Sequence, residues 1–287
     1  MSEVTTKPVI VGIDGSDQAQ YAAVWAVEEA LRRHAVLKLI YVVRTDLTGT
    51  LSASEYEADV DSAKAALAAA RTAIAKRNPS VVVETSIAEG SPAGVLLAES
   101  PDAADLHRIV RDSRISRAIL GSTAASVAEE AACAVVVVRG AESTVAQHDP
   151  LRWIVVPVTR HTEGNRTVIT EAIAEARYRR WPMLAVGTHS SHGDNATSDE
   201  LDRLVADWQR QFPDVHVYPI SCDTDMAQFL RNSPPDINGL VVLDAGRSTE
   251  LAQIIGGVTH AHRADLAVLV ARENADVRVT HAPARHR

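Results

Sequence analysis

Val9-Ile-Val-Gly-Ile-Asp-Gly-Ser16 opens the chain's pattern, and Trp153-Ile-Val-Val-Pro-Val158 restarts it in the second half. In the first stretch an apolar run of strand length stops at a carboxylate, a glycine and a serine. That order reads as a buried strand, a tight turn and a helix N-cap supplied by Ser16. Ala23, Val27, Ala30 and Leu31 then recur at helical spacing, with Glu28, Glu29, Arg32 and Arg33 among the polar positions. The alternation continues through a strand at 37–43, an Ala-rich helix at 59–77 and a strand at 81–87. Pro92 suits the first position of the next helix. A helix at 122–131 and the run Val135-Val-Val-Val138 close the pattern. Strands apolar throughout and separated by helices imply an α/β fold whose parallel sheet is covered on both faces.

Past a polar link at 140–150 the same order returns: helix at 170–180, strand at 183–186, helix at 199–211, and strands at 215–220, 239–243 and 266–270. The offset between copies is 144 residues from Ile10 to Ile154 and 133 residues from Arg139 to Arg272. A repeat of that length is a duplicated domain rather than a solenoid period. The expected organisation is a first domain at 1–141, a diverged second domain at 150–272 and a disordered tail at 273–287. Each domain would be an open, mainly parallel five-stranded sheet. The length agrees, since 287 residues at ~150 per domain is about two domains.

The composition narrows the function classes. A net charge of -8 repels phosphate backbones and disfavours whole-protein nucleic-acid binding. The 4 Trp, 5 Tyr and 2 Phe are too few to suggest a base-stacking platform. Cys133 and Cys222 have no C-x-x-C spacing, so no zinc finger or dithiol motif is legible. No apolar run reaches the ~18 residues of a membrane helix, and no signal-peptide core precedes Pro8. A soluble, cytoplasmic protein without membrane partners is expected.

At a strand-to-helix turn, the Asp14 carboxylate can accept from a ribose or an exocyclic amine, or it can simply cap the helix. Neither a G-x-G-x-x-G nor a P-loop pattern accompanies it. The stretch 9–16, followed by Ala22-Ala-Val-Trp-Ala-Val-Glu-Glu-Ala30, resembles the opening of universal stress proteins. Glu89-Gly-Ser-Pro-Ala-Gly-Val-Leu-Leu97 and the ending Gly121-Ser-Thr through Ala132-Cys-Ala-Val-Val-Val-Val-Arg139 share that resemblance. The second half looks like a diverged copy, as in tandem actinobacterial members.

That resemblance implies an ATP site built from an Asp after the first strand, the end of the second strand, and a G-x2-G-x9-G-[ST] loop. Asp14, Val42 and Gly121 with Ser122 and Thr123 match parts of it. Counting back from Gly121, however, puts Arg111 and Arg108 where two glycines belong. A Cβ there obstructs the approach of backbone amides to phosphate. In the second half Thr159 takes the Asp position, while Gly246 and Gly256 match two loop glycines. Leu243 and Gly257 replace the first glycine and the closing Ser/Thr. Neither half carries a full set, so retention and loss of ATP both stay compatible with these residues. No metal is implied beyond magnesium accompanying a nucleotide. The resemblance also implies that 135–138 and 266–270 pair within one chain as a pseudo-dimer, hiding sheet edges. Further homodimerisation and a protein partner stay open.

Arg108, Arg111, Arg114 and Arg117 recur every three residues. On a helix they would form a broad basic stripe, either an anion site or a solvated face paired with nearby carboxylates. His260 and His262 stand two apart and share no helix face, and His189 and His192 sit in a polar stretch. His281 and His286 have no ligand spacing, and Cys133 reads as a small buried hydrophobe. No nucleophile elbow occurs. The residues therefore favour a non-enzymatic stress-response regulator or binding module with a degenerate adenine-nucleotide site. The alternatives are an ATP-binding switch with slow ATPase activity, and a ligand-free protein–protein adaptor.

Overall fold

The computed structural model describes residues 7–44, 52–103, 105–109, 122–140, 152–158, 162–188, 197–233, 237–257 and 265–272. The first half runs β1 (Val9–Ile13), α1 (Asp17–Arg33), β2 (Leu37–Val43), α2 (Ala53–Arg77), β3 (Val83–Glu89), α3 (Pro92–Glu99), β4 (Asp105–Ile109), α4 (Ser122–Glu130) and β5 (Ala134–Gly140). The second half repeats the scheme with β6 (Arg152–Val158), α5 (Thr162–Arg179), β7 (Met183–Gly187), α6 (Ser198–Gln211), β8 (Val217–Ser221), α7 (Met226–Asn232), β9 (Asn238–Asp244), α8 (Ser248–Gly257) and β10 (Asp265–Ala271).

All ten strands form one sheet in the order β3-β2-β1-β4-β5-β10-β9-β6-β7-β8. Within each half the pairings are parallel. The halves join where β5 and β10 pair antiparallel, with Val137 opposite Val268. That is the within-chain pairing expected of 135–138 and 266–270, and it removes two edges that would otherwise expose unpaired backbone groups.

Helices α3, α4, α7 and α8 pack on one face around Leu96, Val127, Leu230 and Leu251. The other face is covered by α1 and α2, around Val27 and Leu67, and by α5 and α6, around Ile173 and Leu201. The cluster around Leu96 and the cluster around Ile173 both include residues of β5 and β10 and so reach the seam between halves. Among the described residues no helix is long and apolar enough to cross a membrane.

Local signals set several boundaries. Ser52 and Glu55 form a capping box that starts α2 six residues ahead of the expected 59. Thr197 and Glu200 do the same for α6. Helix α5 begins at Thr162, eight residues before the expected 170.

The arginine-rich segment needs a correction. Asp105–Ile109 is strand β4, with Arg108 in register with Val137 of β5. The segment supplies the strand that fills the gap between β1 and β5, so Arg108 does not belong to a helical stripe. Arg111, Arg114 and Arg117 lie outside the described residues, as do His189, His192, His260, His262 and the tail at 273–287.

Candidate functional site

Strand order reverses beside β1, which has β2 on one side and β4 on the other. In a parallel sheet this reversal splays the connections apart and leaves a crevice at the carboxyl ends of the strands. Asp14 stands there, one residue beyond β1. Its Oδ1 accepts the Ser16 backbone N–H at 3.0 Å and the Ser16 hydroxyl at 2.6 Å. Gly15, between them, has φ 83°, a left-handed conformation that side chains resist. Ser16 in turn caps α1, its Oγ accepting from Ala19 N at 3.1 Å. The carboxylate is therefore held by a local turn, exposed at the mouth of the crevice. Capping and ligand reach coexist here, because Ser16 performs the cap.

Tyr41 in β2 pairs with Ile13, directly before Asp14. Burial pushes its hydroxyl pKa up, and the charges of Asp59 and Asp14 push it further the same way. Val42, the next residue, is half-buried against the core cluster of Leu96 and Val127. Tyr56 donates to Glu89 Oε1 at 2.6 Å, tying the start of α2 to the end of β3. Apart from Val42, sequence reading missed these groups. The signal was faint: each lies within two or three residues of a strand or helix end, but tyrosines are common there for packing alone.

Ser122 and Thr123 begin α4, and Gly121 lies outside the described residues. Helix α4 reaches the seam at its other end. There Arg272 donates from Nη1 to Cys133 O at 3.2 Å and from Nη2 to Ala128 O. Cys133 itself is buried, as expected of a small hydrophobe.

The second half presents the same crevice between β6 and β9, with a different lining. Thr159 lies outside the described residues. After β9, the Asp244 Oδ1 accepts the Gly246 N–H at 2.7 Å. A Cβ on Gly246 would sit 3.0 Å from that oxygen. The loop amide is thus already occupied by an internal carboxylate, whose charge also opposes a phosphate. Gly246 lies in a 3₁₀ turn ahead of α8 and Gly256 in the last turn of α8, so the two do not belong to one loop. Asp244, missed in the sequence, is the residue that holds this loop's amide. Among the described residues no group of three or more His, Cys, Asp or Glu is placed to hold a metal ion.

Comparison with known proteins gives a consistent result. A model of the universal stress protein family matches residues 5–139. A universal stress protein of Mycobacterium tuberculosis, Rv2624c, is 36% identical over 274 residues, covering 94% of this chain and 98% of its own. A second from that organism, Rv2028c, is 31% identical over 264 residues, covering 88% and 91%. A crystal structure of a universal stress protein from Archaeoglobus fulgidus superposes with a TM-score of 0.70 at 11% identity, covering 95% of this chain and 98% of its own. That structural likeness concerns the fold, while identity over almost the whole length carries the assignment: the chain belongs to the universal stress protein family.

Proposed function

We propose that this protein is a non-enzymatic stress-response binding module in which one weakened adenine-nucleotide site survives, in the first half. The observation that carries the reading is the contrast between two turns. At Asp14 the carboxylate is held by Ser16 through one oxygen and is exposed beside the end of β1, which leaves it able to accept from a ribose hydroxyl or an adenine amine. At Gly246 the amide suited to a phosphate already donates to Asp244. Asp14 and Val42 would hold the nucleoside end, with Ser122 and Thr123 at the N-terminus of α4 on the phosphate side. Arg108 lies within β4 and so takes no loop position, but no G-x-x-G lies between Asp105 and Gly121, so the glycines that would admit phosphate closely are missing and that end is weakened. Gly246 and Gly256 contribute no second nucleotide site on this reading.

Calorimetric titration with Mg-ATP, ADP and cyclic AMP tests the reading, using wild type and Asp14→Ala. Binding weaker than micromolar, reduced again in Asp14→Ala, is expected. Micromolar binding abolished by Asp14→Ala would establish the competent switch instead. Heat unaffected by the substitution would remove Asp14 from the site, and no heat with any nucleotide would favour the ligand-free adaptor.

A further inference from the structure

Opposite α4, on the other face of the sheet, the side chains of α1 and α5 meet above the β5–β10 pair. The Arg179 side chain is only 2% exposed. It donates to Glu175 on its own helix at 2.7 Å and to Glu28 of α1 at 2.9 Å. Its guanidinium lies 4.3 Å from the ring centroid of Trp25 in α1. Arg32 of α1 reaches back to Glu175 at 3.5 Å, and the Tyr178 hydroxyl donates to Glu28 O at 2.7 Å. Apart from the Arg179–Glu175 pair within α5, these contacts cross between the halves, so the network is a clasp.

One carboxylate is left over. Glu29 is bound by Arg32 and Arg33, and Glu175 by Arg179 and Arg32. Glu28 has Arg179 and, on the exposed rim, Arg77 of α2. No hydrogen bond or ion pair among the described residues closes on Glu171. It lines a cavity of about 10 Å³ together with Glu29, Arg33 and Glu175, close to the room one water requires. Val136 of β5, Leu240 of β9 and Leu269 of β10 form an uncharged floor. The charges facing Glu171 are therefore Arg33, Arg32 and Glu29 from α1 and Glu175 from its own helix.

We propose that Glu171 is a proton-binding residue of this clasp, which tightens the two halves when protonated and loosens them when ionised. A protonated carboxyl can sit over the aliphatic floor at little desolvation cost, whereas an added negative charge must share two arginines already engaged by Glu29 and Glu175. The electrostatics run the same way. Burial pushes the Glu171 pKa up, Arg33 and Arg32 pull it partly back, and Glu175 and Glu29 raise it again. A raised folded-state pKa stabilises the fold below the unfolded value, and that contribution disappears as pH rises through the folded value. Stability from this group therefore falls on going from mild acid to alkali.

Urea unfolding of wild type and Glu171→Gln across pH tests the proposal. The Gln variant mimics the protonated carboxyl. It should be the more stable protein at about pH 8, by on the order of tenfold in the unfolding constant per unit of pKa displacement. The two should converge below about pH 4, under the ordinary glutamate value. Carbon-detected NMR of the wild-type Glu171 carboxyl gives a second readout that needs no variant, and should show titration above the ordinary glutamate range. A Gln variant no more stable than wild type at alkaline pH, or a Glu171 carboxyl titrating at or below that range, overturns the proposal.

Discussion

Arg272, one residue past the last strand of the second half, donates to the backbone carbonyl of Cys133 in the first half at 3.2 Å. Its other terminal nitrogen reaches Ala128 O, in the last turn of α4. A cation at a helix C-terminus satisfies carbonyls that lack intrahelical partners and complements the helix dipole. Burial lowers the Arg272 pKa, and the Asp244 carboxylate partly offsets that. Paired with α1 and α5 on the opposite face, this contact makes the seam a two-sided joint.

Removing the guanidinium should leave those carbonyls short of a donor. Arg272→Ala is expected to cost about 2 kcal/mol, read as a lower urea midpoint. Arg272→Lys should recover part of it, because one charged donor returns without the second arm of the fork. An Ala variant as stable as wild type would show that the α4 end is satisfied without Arg272.

The clasp predicts a larger loss. Arg179→Ala strips Glu175, itself 4% exposed, of its closest cation and removes the stack on Trp25. Breaking a buried pair on one side leaves an uncompensated charge, and about 3 kcal/mol is expected. Thermal unfolding checks this, and a change within about 0.5 kcal/mol, the ordinary range of surface substitutions, would reduce the network to surface decoration.

Gly15 offers a backbone test beside Asp14. An added Cβ would lie 3.6 Å from the Ala66 Cβ, ordinary contact, so the cost of Gly15→Ala comes from φ 83° alone. About 1 kcal/mol of stability should be lost. The displaced Asp14–Ser16 turn should also weaken nucleotide binding, measured by titration. Unchanged stability and affinity would show that the turn relaxes freely.

Much of the fold was legible because its strands are buried on both faces. Val9–Ile13 and Leu266–Val270 are continuous apolar runs that no surface element would tolerate. Strand β4 was not legible, because Asp105-Leu-His-Arg-Ile109 carries three polar residues and its arginine spacing imitates a helix. Only its parallel register with β1 and β5 identifies it. At the candidate site, Asp14 was readable from the strand–Asp–Gly–Ser order. Asp244 was not, since a carboxylate after an apolar run looks the same whether it faces a ligand or accepts a neighbouring amide. The α1–α5 clasp was equally hidden: Glu28, Glu29, Arg32 and Arg33 are simply the polar positions of a helical pattern until α5 of the other half is placed against them.

On the proposed reading the chain holds one diminished nucleotide site, in the first half, rather than one in each half. Equilibrium dialysis of the full chain against labelled ATP, taken to saturation, measures this directly. One weakly held nucleotide per chain is predicted, with affinity reduced in Asp14→Ala. None or two per chain, or one held equally well by Asp14→Ala, would contradict a single surviving site.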